Sequence, residues 1–189
     1  YIDLDVTMNH KMYVSFYTNK NWSNYRLTEA SNIIGKEVKY KKDAEWDLPD
    51  SKDFGNVEIE TSRLPEWCFR LSRKQSQIFI DSLNINFTKL SDELFDDIQR
   101  VCIHAGWDIL RSDDKTISII KTDINPVING KLSNQKEYTY HYKGPVYCLT
   151  VSSGVFMVRH NGKAVWTGNS RGSNGPIVML TRQPAEGRA

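Results

Sequence analysis

Val146-Tyr147-Cys148-Leu149-Thr150-Val151, followed by Phe156-Met157-Val158-Arg159-His160, Asn161-Gly162 and Lys163-Ala164-Val165-Trp166-Thr167, decides the fold. The first run is apolar and β-branched enough to predict a strand. The other two runs flank Asn161-Gly162. Asn-Gly in that position predicts a tight β-hairpin, because both turn residues tolerate positive φ. The stretch closes on Gly168-Asn169-Ser170. Residues 131–169 are therefore expected to be strands.

Upstream, residues 1–63 have the texture of short strands and turns. Met12-Tyr13-Val14-Ser15-Phe16-Tyr17 predicts a strand there. Residues 64–130 differ. Ser72-Arg73-Lys74-Gln75 is a capping-box pattern, followed by Ile78, Phe79, Ile80 and Leu83. Ser91 is expected to cap a second helix, with Asp92 and Glu93 in its first turn. Leu94, Phe95, Ile98, Val101, Cys102 and Ala105 then recur at helical spacing, and Gly106 is the expected stop. The tail, 170–189, carries Gly172, Gly175, Pro176, Pro184 and Gly187 with little periodicity, and is expected to be unfolded. The residues thus predict an α+β chain that is mainly β.

The composition is that of a folded protein with a wet surface. The chain has 189 residues, 39% hydrophobic and 25% charged. Its mean hydropathy is −0.53. Twenty-five basic and 23 acidic residues leave +2, so charge alone argues for neither nucleic acid nor a membrane surface. No apolar run approaches the roughly 18 residues of a membrane span. The start, Tyr1-Ile2-Asp3-Leu4-Asp5, is not a signal peptide, and without a Met it is expected to lie mid-protein. Three widely spaced cysteines, Cys68, Cys102 and Cys148, argue against a disulfide framework or zinc site and for a reducing, intracellular compartment.

Taken singly, the chemical residues are ordinary. His10, His104, His141 and His160 show no metal-pair spacing. Cys102 and Cys68 belong to apolar surroundings and are expected in the core, as is Cys148 when read alone. Asp96-Asp97 and Asp113-Asp114 are expected on solvated surface, since neighbours on a helix do not face one point.

Two distant segments are more specific together. Thr7-Met8-Asn9-His10 opens the chain, and Val146-Tyr147-Cys148-Leu149-Thr150-Val151 precedes a terminal Asn169-Ser170. Residues 1–169 resemble an intein, a protein-splicing element. The resemblance implies a Hint-type β fold, its first part in 1–63 and its C-terminal part in 131–169. The interruption, 64–130, resembles a degenerate LAGLIDADG homing endonuclease of small α/β form. Leu64-Pro65-Glu66-Trp67, Asp96 to Arg100, His104-Ala105-Gly106-Trp107 and Asn125-Pro126-Val127 carry that likeness. In the tail, Leu180-Thr181-Arg182-Gln183-Pro184-Ala185-Glu186-Gly187-Arg188 resembles the second-largest subunit of DNA-directed RNA polymerase. Residues 170–189 would then be the start of the downstream host segment, the C-extein.

The intein resemblance implies roles. Asn169 would cyclise onto its own carbonyl and break the Asn169–Ser170 bond, with intramolecular geometry replacing a strong nucleophile. Ser170 would be the acceptor hydroxyl. His10 would donate a proton at the upstream junction, and Thr7 would help stabilise the oxyanion there. Three departures stand out. Gly168 occupies the place of the usual penultimate histidine, and the preceding motif also lacks its histidine. His160 is then either a replacement donor or a surface turn residue. Cys148 stands where an aspartate is usual; with Thr167 it fits a class in which that cysteine is the first nucleophile, although Met12 replaces the tryptophan of that pattern. As a nucleophile it needs a polar or cationic neighbour, for which His10 is the expected candidate. The upstream splicing motif is absent, so a complementary N-terminal segment is an expected partner.

Splicing needs no cofactor. Mg²⁺ and DNA enter only if the endonuclease or host polymerase activity is intact. The endonuclease helix is expected to run from Gln77 to Phe87, with Phe87 where a metal-binding acid is needed and Asp81 too early. Host polymerase subunits are expected partners, no membrane is, and a eukaryotic host would imply the nucleus.

Overall fold

Ile2-Asp3-Leu4-Asp5-Val6-Thr7 alternates apolar with polar residues, and it forms strand β1 (Ile2–Thr7) with Ile2, Leu4 and Val6 buried. In the computed structural model, residues 2–44, 63–83, 90–111, 117–122, 125–129, 135–169 and 177–182 are described. The next strands are β2 (Lys11–Thr18), β3 (Asn21–Trp22), β4 (Arg26–Glu29) and β5 (Val38–Tyr40). Helices α1 (Arg73–Ser82) and α2 (Asp92–Ala105) follow. Then come β6 (Asp108–Arg111), β7 (Ile117–Ile120), β8 (Val127–Ile128), β9 (Gln135–Tyr140), β10 (Val155–His160), β11 (Lys163–Gly168) and β12 (Ile177–Arg182). The described chain is α+β, with its strand pairings antiparallel.

It divides into two units, Tyr1–Lys42 with Asn125–Ala189, and Asp43–Ile124. Among its described residues the first unit is β apart from one short 3-10 turn at Ala30–Asn32. One of its sheets has the order β1-β12-β9, and the other runs β10-β11-β2-β5-β8 with β3 and β4 also against β2. Met12, Val14 and Phe16 alternate inward along β2 and meet Ile33, Val38, Tyr40, Ile128 and Val165. Burial of each such side chain contributes roughly 1.5–3 kcal/mol. Lys42 and Asn125 meet where the chain leaves and re-enters this unit: the Lys42 N–H donates to Asn125 Oδ1 at 3.0 Å.

The Asn161-Gly162 hairpin forms as expected. Both residues have positive φ, 46° and 72°, and β10 pairs with β11 from His160↔Lys163 to Val155↔Gly168. Residues 146–151 do not form the expected strand. They lie outside every described sheet, with Tyr147 88% and Leu149 63% exposed. Strand propensity is a fit to a paired, half-buried surface, and apolar character alone does not supply the partner. The tail differs in the opposite sense. Ile177–Arg182 is the central strand between β1 and β9, so the expectation of an unfolded tail fails there. Paired edges on both sides satisfy its backbone, which turn-rich flanking sequence does not foretell.

In the second unit Ser72 caps α1 through a full capping box with Gln75. The expected helix Gln77–Phe87 is cut short: it ends at Ser82, and Leu83 is extended. The Ser82 hydroxyl takes the Phe79 carbonyl at 2.8 Å and so competes with the helical ladder. Residues 84–89, Phe87 among them, lie outside the described residues. Ser91 caps α2, and Gly106 ends it in the left-handed region at φ 78°. Phe79, Phe95, Ile98, Val101, Trp107 and Ile109 build the core, with Cys68 and Cys102 inside it. Burial pushes both thiols up to about 12. Asp97 corrects a surface expectation. It is buried and held by both ends of the Arg63 guanidinium, at 2.7 and 2.9 Å, and by the Leu64 N–H at 2.9 Å. Burial alone would raise its carboxyl, but these bonds outweigh it and hold it below the ordinary value. Asp96 is exposed, and Asp113-Asp114 lie outside the described residues. No described helix is long and apolar enough to cross a membrane.

Candidate functional site

A tight turn brings the first motif together. The His10 N–H donates to the Thr7 carbonyl at 2.9 Å, and the Thr7 hydroxyl donates to Asn9 Oδ1 at 2.8 Å. Thr7 is 2% exposed and His10 9%. The turn leads into β2, which pairs with β11 at Met12↔Thr167. That register sets His10 Nε2 2.6 Å from Thr167 Oγ1. Thr167 also donates to the Lys11 carbonyl at 3.2 Å and lies 3.8 Å from Met12 Sδ. With the hydroxyl proton committed to that carbonyl, the neutral ring that fits carries its proton on Nε2. Burial pushes His10 down to about 4.

One residue beyond β11, Asn169 is held at three atoms. The Lys11 N–H donates to its backbone carbonyl oxygen at 3.3 Å. The Cys148 thiol donates to Oδ1 at 2.7 Å, and Nδ2 donates to Thr150 Oγ1 at 3.2 Å. The side-chain oxygen and nitrogen are thus engaged by different partners, two residues apart on one segment. Cys148 is exposed, which corrects the expectation of a core thiol. The segment 146–151 joins none of the described sheets, so no paired strand covers the thiol. His10 turns its Nε2 to Thr167.

Gly168 has a steric reason for being glycine. A Cβ there would lie 2.9 Å from the Lys11 carbonyl oxygen and 2.5 Å from Leu27 Cδ2. Close approach of β2 therefore excludes a side chain at the penultimate position. His160 does not take over at Asn169: its ring faces the carboxylates of β1, Nδ1 3.6 Å from Asp3 and Nε2 4.0 Å from Asp5. Ser170 lies outside the described residues. Lys11 and Thr150 are contributors that residue types did not reveal. A backbone donor carries no sequence signal, whereas the two-residue step from Cys148 to Thr150 is a usable one.

Elsewhere, Asp81 is exposed and pairs with Lys121 at 2.5 Å. Among the described residues, no group of three or more His, Cys, Asp or Glu is placed to hold a metal ion.

The geometry thus defines an α+β chain with a buried His–Thr pair beside an asparagine clamped at its amide and its carbonyl. Over 126 residues, 56% of its length, the chain is 40% identical to the DNA-directed RNA polymerase subunit beta C-terminal section of Stigeoclonium helveticum. Over 63 residues, 33% of its length, it is 48% identical to the ATP-dependent Clp protease proteolytic subunit of Chlamydomonas moewusii. The chain spans only 12% and 6% of the lengths of these relatives. No family model and no solved structure matches it.

Proposed function

We propose that residues 1–169 are a protein-splicing element of Hint type hosted by an RNA polymerase subunit, with 170–189 the start of the downstream host segment. The observation that carries this reading is the clamped Asn169 beside a glycine whose Cβ position is crowded by the Lys11 carbonyl and Leu27. The polymerase relative fits the host part of this reading. Each matched stretch is longer than the whole 170–189 tail, so each reaches into residues 1–169. A chain similar in parts to two proteins named for unrelated activities suits an element that is independent of its host's work.

In this reading Asn169 Nδ2 attacks the Asn169 carbonyl carbon. The N–C bond forms, the bond to Ser170 breaks, one Nδ2 proton is lost, and the Ser170 nitrogen gains one as it leaves. The Lys11 N–H is aimed at the oxygen on which charge develops, which is where a preformed donor is most effective. His10, neutral at pH 7 in its buried setting, exchanges protons through Thr167 and serves the upstream junction together with Thr7. The exposed Cys148 thiol acts as a nucleophile, and Ser170 accepts the acyl chain. The partner is a complementary upstream segment. No cofactor takes part. The 64–130 insertion is a degenerate homing-endonuclease remnant, and DNA and Mg²⁺ belong to the chain only through it or through the host.

The similarity to the polymerase relative supports a second reading: that the chain is a piece of a polymerase subunit, with transcription as its function and other polymerase subunits as its partners. One experiment separates the two. A precursor with the upstream coding sequence restored is expressed between two reporter domains. Splicing yields the ligated reporters and a free element, and Asn169→Ala yields neither. Reporters that stay joined to the chain in the wild type support the polymerase reading.

A further inference from the structure

The cyclisation proposed for Asn169 requires its amide to present nitrogen, not oxygen, to the backbone carbonyl. An asparagine amide is nearly symmetric in shape, and a half-turn about its last torsion exchanges the two atoms. Something must choose. In the usual members of the resembled family two histidines crowd this junction; here Gly168 stands in place of one and the other is missing. The exposed segment 146–151 takes up the amide.

Cys148 and Thr150 are alternate residues of that segment, and both reach Asn169, while Tyr147 and Leu149 between and before them are turned to solvent at 88% and 63% exposure. Side chains two apart on extended backbone share a side. The pair reads the amide by its chemistry. A thiol is a weak donor and suits Oδ1; a hydroxyl oxygen with free lone pairs suits an N–H. The reverse orientation would set Nδ2 against the thiol and Oδ1 against a hydroxyl that must turn to donate.

We propose that Thr150 is a positioning residue for Asn169: its hydroxyl oxygen accepts from Nδ2 and fixes the amide in the orientation that attacks the Asn169 carbonyl. This rests on the cyclisation reading above. Thr150 touches the nucleophilic nitrogen before reaction, on the residue whose carbonyl the Lys11 N–H polarises. Because it is exposed and lies outside every described sheet, its replacement leaves the core unchanged.

The test is the release of the 170–189 peptide from the purified 1–189 chain, followed over time by mass spectrometry in wild type, Thr150→Val, Thr150→Ser and Asn169→Ala. Valine keeps the shape and removes the acceptor; serine keeps the acceptor. The expected result is at least a ~10-fold slower release in Thr150→Val, of the size that small misplacements of a reacting group produce. Thr150→Ser should recover most of the rate, and all four chains should share one melting temperature. Release that Asn169→Ala abolishes but Thr150→Val leaves at the wild-type rate overturns the role of Thr150 alone. Wild-type release that Asn169→Ala does not change, or no release at all, overturns the cyclisation reading and this inference with it.

Discussion

The Cys148 thiol stands 2.7 Å from the side-chain oxygen of Asn169, 21 residues further along the chain. Under the proposed splicing function two roles converge on that contact. The thiol helps hold the amide, and its exposure makes it available for acyl transfer. Cys148→Ser therefore separates chemistry from folding. On an exposed segment the change should leave stability within about 0.5 kcal/mol by urea titration. In an Asn169→Ala precursor it should remove a thiol-cleavable branched species that the parent accumulates. A branch that persists in Cys148→Ser assigns the first nucleophile to another residue.

Gly168 makes the opposite kind of prediction, because it is a matter of space. Introducing a histidine there, as Gly168→His, should not speed cleavage. It should destabilise the first unit, since a Cβ at that position meets the Lys11 carbonyl oxygen at 2.9 Å. Even Gly168→Ala should cost about 1–3 kcal/mol, typical of overpacking. Faster cleavage in Gly168→His at unchanged stability would show that β2 can move away.

His10 gives stability a pH dependence with a definite sign. Burial disfavours its imidazolium and lowers it from 6.5 to about 4. Between those values the unfolded chain binds the extra proton, so stability rises with pH through the window. The contribution is complete above pH 6.5, declines as the pH falls toward 4, and is level below that. Its ceiling is on the order of 3 kcal/mol. His104, also lowered by burial, acts in the same direction, so the measurement is the difference between wild type and His10→Gln. That difference should change steadily from pH 6.5 to 4; a flat difference would place His10 in contact with water.

The meeting of Lys42 and Asn125 at 3.0 Å sets the place for a deletion. Replacing residues 43–124 with a short Gly-Ser linker should leave the first unit folded, because its core draws on neither helix. A cooperative melt and retained cleavage at Asn169–Ser170 are expected. A chain that no longer melts cooperatively would show that the second unit holds the first together.

The elements that could be read from the chain were those with local causes. Ser72 and Gln75, Ser91, Gly106 and Asn161-Gly162 each act through hydrogen bonds or φ angles within a few residues, and each appears where its chemistry required. The readings that failed needed distant information. Val146–Val151 has strand residues but no partner strand, and β12 has turn-rich flanks but two partners. At the site, the intein resemblance points to Thr7, His10, Thr167, Cys148 and Asn169; the fold joins His10 with Thr167 and Cys148 with Asn169, and Thr7 accepts from His10 in the turn between β1 and β2. The expected pairing of His10 with Cys148 depended on the third dimension, as did the donor at Lys11. Asp97 was misplaced for the same reason: its partner Arg63 lies 34 residues away.

The central claim is that Asn169 severs its own peptide bond, and the chemistry leaves a mark at that residue. The most direct measurement is the intact mass of the 1–169 fragment, taken at mildly acidic pH soon after release. Cyclisation predicts a C-terminal succinimide, one water lighter than the asparagine acid, formed in wild type and absent when Asn169→Ala is tested. A released fragment that ends in a plain carboxylate from its first appearance, or equal release from Asn169→Ala, would contradict it.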